Sequence, residues 1–304
     1  MTGAYGFVGR PLCRALIADG HQVWAMSRTE SSDQDLVDGL DGVSLQSVGD
    51  RLPTDLLEWA PATIVNLAWS GIPDYGSECS IANLEEQVRF IEQLVAVGSV
   101  SRVVGAGTCL EYGDHAGLCR EDEEREPTTH LAWAKQSLRR YLLLAASGHN
   151  IDVVWFRIFF AYGPGQRSEG LLPSVLREAA AGRQPVLVNP DAAKDFVYID
   201  DVVEAFKRAV NPASPPGTFN IGSGLLVSLD DFKNAAVETV EGVPGEGATI
   251  APVPPEEPDR EMYASLERVS GSFGWNPVVP LREGIRRTWH AMNVPGPMSR
   301  SEEA

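Results

Sequence analysis

Apolar runs of β type alternate with segments of helical period along the first half of the chain. "QVWAMS", "TIVNLAW", "RVVGAG" and "IDVVWFRIF" are short and rich in β-branched and aromatic residues, and are predicted to be strands. Between them, "RPLCRALIADG", "NLEEQVRFIEQLVAVG" and "LAWAKQSLRRYLLLAASG" repeat apolar residues at helical spacing. Each ends in glycine, a residue that readily terminates a helix. Strands apolar on both faces and separated by helices predict an α/β fold, a doubly wound parallel sheet with helices on both sides. After "AYGPG" (Ala161 to Gly165) loops and proline increase, as in "NPASPPG" and "APVPPEEPDR", while "FNIGSG" (Phe219 to Gly224) returns to the sheet. The expected organisation is a first domain of residues 1–163 with 193–222. A smaller, discontinuous α+β domain comprises 164–192 with 223–290, and 291–304 form a polar tail.

"TGAYGFVG" places Gly3, Gly6 and Gly9 directly before the first helix, with Phe7 and Val8 between the last two. Gly3 permits a tight turn, Gly6 lets backbone approach a pyrophosphate, and Gly9 lets the helix pack close to the sheet. In a strand–helix alternation this is the Rossmann-like dinucleotide pattern. Such a loop follows a buried strand, yet only Met1 and Thr2 precede it. The simplest expectation is a native start upstream of Met1, because a missing central strand leaves two sheet edges in the core. At the end of the second strand, where an acidic residue would hold a ribose 2′-hydroxyl, stand Ser27 and Arg28. They suit a 2′-phosphate and favour NADP(H) over NAD(H). Asp50, after the third strand, is a candidate for the adenine amino group, or else a loop-end cap.

Composition narrows the partners. With 304 residues, 43% hydrophobic and 22% charged, the chain can bury a sizeable core. A net charge of −17 and a sequence pI of about 4.7 argue against binding nucleic acid or an anionic membrane. An anionic substrate must then be held by a few local cations. No apolar run is long enough to span a bilayer, no signal-peptide pattern is present, and Cys13, Cys79, Cys109 and Cys119 are scattered without a CxxC pair. These features predict a cytoplasmic protein with reduced thiols and no metal site. The acidic run Arg120 to Glu126 reads as a solvated loop.

The motifs "TGAYGFVG", "NLAWSG", "GAGTCLEYG", "RIFFAYGPG", "KDFVYIDDV", "FNIGSG" and "FGWNP", in that order over nearly the whole chain, resemble an extended short-chain dehydrogenase/reductase of the nucleotide-sugar epimerase/dehydratase family. "GAGTCLEYG" with "RIFFAYGPGQRSEGLLPSVL" is most similar to the branch that reduces nucleotide-linked 4-keto-6-deoxyhexoses. The resemblance implies hydride transfer between nicotinamide and a sugar carbon, carried by a Ser/Thr, a Tyr and a Lys. Carried over by motif, the hydroxyl is Thr108 and the lysine Lys135, but the tyrosine position is Leu131. Losing a positioned acid costs about a hundred- to ten-thousandfold in rate. Lys135 and Thr108 are expected to recover part of this by donating to the oxyanion. His130, Tyr112 and Tyr162 are the substitute donors nearby in sequence, the two tyrosines having pocket packing as their plainer reading. A catalytically silent nucleotide-binding protein and an epimerase are the alternatives.

The resemblance also places Leu67, Ala68 and Trp69 beside the dinucleotide. Asn83, at the head of a long helix, is expected to steady the central sheet, and the Phe160–Ala161 backbone to pass the carboxamide end of nicotinamide. For a nucleoside diphosphate-sugar, Arg260 matches a diphosphate-binding arginine and Lys194 stands where relatives carry arginine. Arg167, on the loop after "GPG", is a further candidate, and for Arg167 and Arg260 solvated surface is the competing reading. A homodimer through a four-helix interface built on "NLEEQVRFIEQLVAVG" and "LAWAKQSLRRYLLLAASG" is also implied.

Overall fold

The computed structural model describes residues 1–26, 43–44, 52, 54–242 and 261–293. Its first part runs α1 (Gly9–Ala18), β1 (Ala25–Met26), β2 (Val43–Ser44), α2 (Thr54–Trp59), β3 (Thr63–Asn66), α3 (Ser77–Val97), β4 (Arg102–Thr108), β5 (Gly117–Cys119), α4 (His130–Ser147) and β6 (Asp152–Ile158). Then follow β7 (Phe160–Tyr162), α5 (Leu171–Ala180), β8 (Ala193–Lys194), β9 (Phe196–Tyr198), α6 (Ile199–Ala209), β10 (Gly217–Ile221), β11 (Val227–Ser228), α7 (Leu229–Glu241), β12 (Met262–Ala264), α8 (Glu267–Phe273) and α9 (Leu281–Asn293).

The expected parallel sheet is present. β3, β4, β6 and β10 lie side by side in the order β10-β6-β4-β3, every pair parallel, and "FNIGSG" does return beside β6. β1 and β2 pair separately, and among the described residues Thr2 alone bridges Met26 of β1 to Asn66 of β3. Helices cover both faces. On one side α1 and α6 bury Leu12, Leu16, Val202 and Phe206 against Val65, Val104 and Val154. On the other, α3 and α4 bury Phe90, Leu94, Leu138 and Leu142 against Ile64, Val103 and Val153. Alternate residues of β3, β4 and β6 thus feed opposite clusters, as strand period requires.

Helix ends follow local chemistry. Thr129 caps α4 by accepting from Ala132 N at 3.1 Å, and Gly98 closes α3 in the left-handed region at φ +76°. Buried Leu131, Lys135, Leu138 and Leu142 form one stripe of α4, so its fourth-residue spacing sets Leu131 and Lys135 on the same inward face. Beyond these, α7 packs on α5 and α9, α8 packs on β10 and α6, and the short strands form the pairs β7–β9, β8–β11 and β5–β12. We propose the same two-part division for this structure, with the first crossing at Gly163. No helix among the described residues is long and apolar enough to cross a membrane.

Candidate active site

The C-terminal ends of β3 and β4, the loop before α1 and the start of α4 converge. Gly3 turns at φ +64°, where a side-chain Cβ would lie 2.9 Å from Ala68 N; a Cβ on Gly9 would lie 2.0 Å from the Gly3 carbonyl. The loop therefore closes only with glycine at these places. Gly6 N donates back to Gly3 O at 2.9 Å, and the first turn of α1 has no side-chain cap. An uncapped helix N-terminus under a glycine loop is an anion cradle, and these residues fit a dinucleotide's pyrophosphate. Thr2 ties this loop to β3: its buried hydroxyl accepts from Leu67 N and Ala68 N, each at 3.1 Å, and donates to Asn66 Oδ1 at 2.7 Å.

Thr108 ends β4, and its hydroxyl oxygen accepts from Leu110 N at 3.3 Å, with the Cys109 thiol also within its hydrogen-bonding reach. Its own N–H donates to Glu111 Oε1 at 3.0 Å, completing a capping box over the short turn Cys109–Tyr112. Lys135 reaches the same strand from α4 and donates to Ala106 O at 2.8 Å, two residues before Thr108. Its ammonium also lies 4.2 Å from the centroid of the Trp69 ring. Burial pushes the Lys135 ammonium down to about 8, with buried Glu111 partly opposing the shift. Leu131 is buried one turn earlier.

Several expectations are corrected. Tyr112 and Tyr162 are core residues in this structure. The Tyr112 phenol donates to Asn220 Oδ1 at 2.8 Å, and burial pushes it up to about 12. Tyr162 donates to Leu281 O at 3.1 Å and packs among Phe196, Tyr198 and Phe232. Neither is free to donate to a ligand, because each phenol is committed to an interior acceptor. His130 is the first residue of α4 and is exposed. Asn83 does not head its helix, which starts at Ser77. It grips the loop after β3, accepting from Ser70 N at 2.6 Å and donating to Ser70 O and Cys79 O. Steadying the sheet falls instead to Gln87, which accepts from Asn66 Nδ2 at 2.7 Å and donates to Ala68 O at 3.1 Å.

On the sugar side, Lys194 pairs with Glu261 and sits 5.1 Å from the Phe160 ring centroid, so its charge is already neutralised. Arg167 is exposed on its loop. Ser27, Arg28, Asp50 and Arg260 lie outside the described residues. Glu111 and Asp195 are among the buried acids that escaped the sequence reading. Glu121, in the run expected to be a solvated loop, is also buried and accepts from Asn220 N at 2.9 Å. Glu111 accepts from Trp155 Nε1 at 3.0 Å and pairs with Arg157 at 3.2 Å; the Thr108-x-x-Glu111 spacing was its available signal. Asp195, fully buried, accepts from Ser223 N and Oγ, Gly224 N and Ala264 N, and so fastens three separate segments.

Comparison with known proteins places this architecture. The model of the NAD dependent epimerase/dehydratase family matches residues 1–222, and the chain belongs to that family. It is 29% identical to the dTDP-6-deoxy-L-talose 4-dehydrogenase (NAD(P)(+)) of Kitasatospora kifunensis over 97% of this chain and 95% of that one. It is 28% identical to the UDP-glucose 4-epimerase of Mycolicibacterium smegmatis over 95% of this chain and 96% of that one. Its fold matches a UDP-glucose 4-epimerase of Thermotoga maritima, solved with UDP-glucose, at a TM-score of 0.80 and 21% identity, covering 96% and 97% of the two chains. The protein is thus an enzyme of an NAD-dependent family whose members modify nucleotide-linked sugars.

Proposed function

We propose that the protein reduces the keto group of a nucleotide-activated deoxysugar, at carbon 4, with NADP(H) preferred over NAD(H), and that Lys135 supplies the proton that a tyrosine would otherwise give. The observation that carries this reading is the buried Lys135 amine, held on β4 beside Thr108 with its pKa lowered toward neutrality. The likeness to a 4-dehydrogenase of a 6-deoxy sugar supports the position of attack.

The glycine loop, Leu67 to Trp69 and Lys135 would hold the dinucleotide, which when bound supplies the hydride. The Thr108 hydroxyl, its acceptor side used by Leu110 N, donates to the substrate carbonyl oxygen and orients it. As negative charge builds on that oxygen, the Lys135 ammonium neutralises it and transfers a proton. Leu131 closes the space of the missing phenol with apolar surface and keeps water from the amine. Arg260 and Arg167 are proposed to receive the diphosphate. We further infer a cytoplasmic homodimer: all four cysteines are free thiols. The α3 and α4 helices expose Ile81, Trp133 and Leu144, apolar surface of the kind a helical interface buries.

The test is NADPH oxidation on adding a nucleotide-linked 4-keto-6-deoxyhexose, with Leu131→Tyr in parallel. Oxidation by the native protein supports the reductase. A second reading, a nucleotide-binding protein without turnover, is favoured by the Trp69 ring lying over Lys135. It predicts tight NADPH binding with oxidation only in the tyrosine variant.

A further inference from the structure

Glu111 is completely buried, and its carboxylate lies where β4, β6 and α4 meet. Oε1 accepts from Thr108 N and from Trp155 Nε1, each at 3.0 Å, and Oε2 accepts from Arg157 Nε at 3.2 Å. Arg139, on α4, brings its Nε to 3.9 Å. The strand leaves room for this arrangement. A Cβ on Gly107 would lie 2.3 Å from Glu111 Oε1 and 2.2 Å from Trp155 Nε1, and one on Gly105 would lie 2.5 Å from the Trp155 ring. Gly107 separates Ala106, whose carbonyl holds Lys135 at 2.8 Å, from Thr108. The carboxylate therefore sits beside the one residue between the seats of Lys135 and Thr108. Charge around it is uneven. Lys135, Arg139 and Arg157 are all buried, and Arg157 Nη1 and Arg139 Nε have no hydrogen-bond partner. Glu124 pairs with the far end of Arg139 at 2.8 Å, and Glu121 acts on Arg157 through space. On the same turn, burial pushes the Cys109 thiol and the Tyr112 phenol up to about 12, so both stay neutral where Lys135 titrates. Lys194 and Asp195 act on Cys109 rather than on the lysine, and Trp69 faces Lys135 with a ring and no charge. Glu111 is the anion that the Lys135 ammonium feels, opposing the burial that lowers it to about 8.

We propose that Glu111 is a positioning residue for the proton transfer: one oxygen fixes the Thr108 end of β4, and the carboxylate's charge keeps Lys135 in its ammonium form. The reaction it serves is the ketone reduction proposed above, on which this role rests. Glu111 has no exposed surface, so it acts through the two side chains that meet the substrate and never meets the substrate itself. The "GAG" before Thr108 follows from the same arrangement, since a side chain at Gly105 or Gly107 would displace the indole or the carboxylate.

The test reads Lys135 directly. The lysines are Lys135, Lys194, Lys207 and Lys233, so their ε-carbons, labelled with carbon-13, can be followed in an NMR titration. Lys135 is the signal lost in Lys135→Met. Glu111→Gln keeps the size and the acceptor for Thr108 N, and is expected to lower the Lys135 midpoint from about 8 by about one pH unit. Glu111→Asp keeps the charge and should hold the midpoint near its native value. Should the glutamine variant not fold, Glu111→Gln with Arg157→Met leaves no unpaired arginine there and should lower the midpoint in the same way. In turnover, Glu111→Gln should lose about fivefold in kcat at pH 8 and little at pH 6, with the KM for NADPH hardly changed. A midpoint that does not move overturns the proposal. So does one that rises, as loosened packing would produce by letting water reach the amine. An equal fall in Glu111→Asp would trace the change to shape and overturns it too, as does a midpoint that falls while the rate profile stays in place. The midpoint is read without substrate. A native protein that oxidises no NADPH would therefore sink the reductase, while the titration still decides whether Glu111 sets the charge of Lys135.

Discussion

Two buried charges in this molecule are treated in opposite ways. Asp195, beneath the sugar-side region, is saturated by four donors from the Ser223–Gly224 turn and β12. Lys135, under the cofactor-side loops, has one carbonyl acceptor and an aromatic face, with Glu111 felt at a distance. Burial penalises the charged form of each, raising the aspartate's pKa and lowering the lysine's. A fully bonded buried charge organises backbone; an under-bonded one beside an open anion cradle is poised to exchange a proton. On the proposed mechanism, structure and chemistry are thus separated between these two buried groups.

The separation can be broken from either side. Lys135→Met keeps the stem's bulk and deletes the amine. Turnover of the keto-sugar is expected to fall by about a hundred- to ten-thousandfold. The unfolding free energy should stay level or rise, because a desolvated cation has been removed. A denaturant titration showing a large loss of stability would make Lys135 a structural group. Asp195→Ala should do the reverse, stranding several buried donors and lowering stability by at least about 3 kcal/mol. If urea unfolding changes little while turnover collapses, Asp195 belongs to the chemistry instead. Leu131→Tyr should move the lysine corner toward the family pattern and raise turnover by about tenfold or more. A fall would mean that leucine shapes a different site. Arg28→Ala should weaken NADPH more than NADH in fluorescence titrations, and equal weakening would remove the 2′-phosphate reading.

The layered fold was legible because its signals are local. The apolar strands and glycine-ended helices reappear at "RVVGAG", "IDVVWFRIF" and "LAWAKQSLRRYLLLAASG" with only shifts at their ends. The Leu131/Lys135 register was equally legible, since it depends on helical spacing alone. What escaped depends on partners far along the chain. Tyr112 reads as a pocket residue until Asn220 accepts its hydrogen bond, and Asp195 carries no sequence signal until Ser223 and Ala264 close on it. Asn83 was misplaced because α3 extends back through "SECSIA", whose polar residues carry little helical signal. The Thr2 hydroxyl, which ties the glycine loop to β3, gave no sequence signal of its own.

The smallest effect is also the most discriminating. Two amines have lowered pKa values, Met1 near 6 against 8.0 and Lys135 near 8 against 10.5. Between each pair of values the unfolded chain binds more protons than the folded one, so stability rises with pH through both windows. The penalty for burying either ammonium is fully present below its folded value and is relieved as the buried amine loses its proton. If Lys135 donates the proton, the rate moves the other way and falls as pH rises through about 8, where the acid is lost. Between pH 8 and 10 the protein should therefore become more stable and less active. Thermal midpoints and single-turnover rates taken over the same buffers would show the crossing. A rate that stays flat through that range would exclude Lys135 as the donor and leave Thr108 or a bound water to supply the proton.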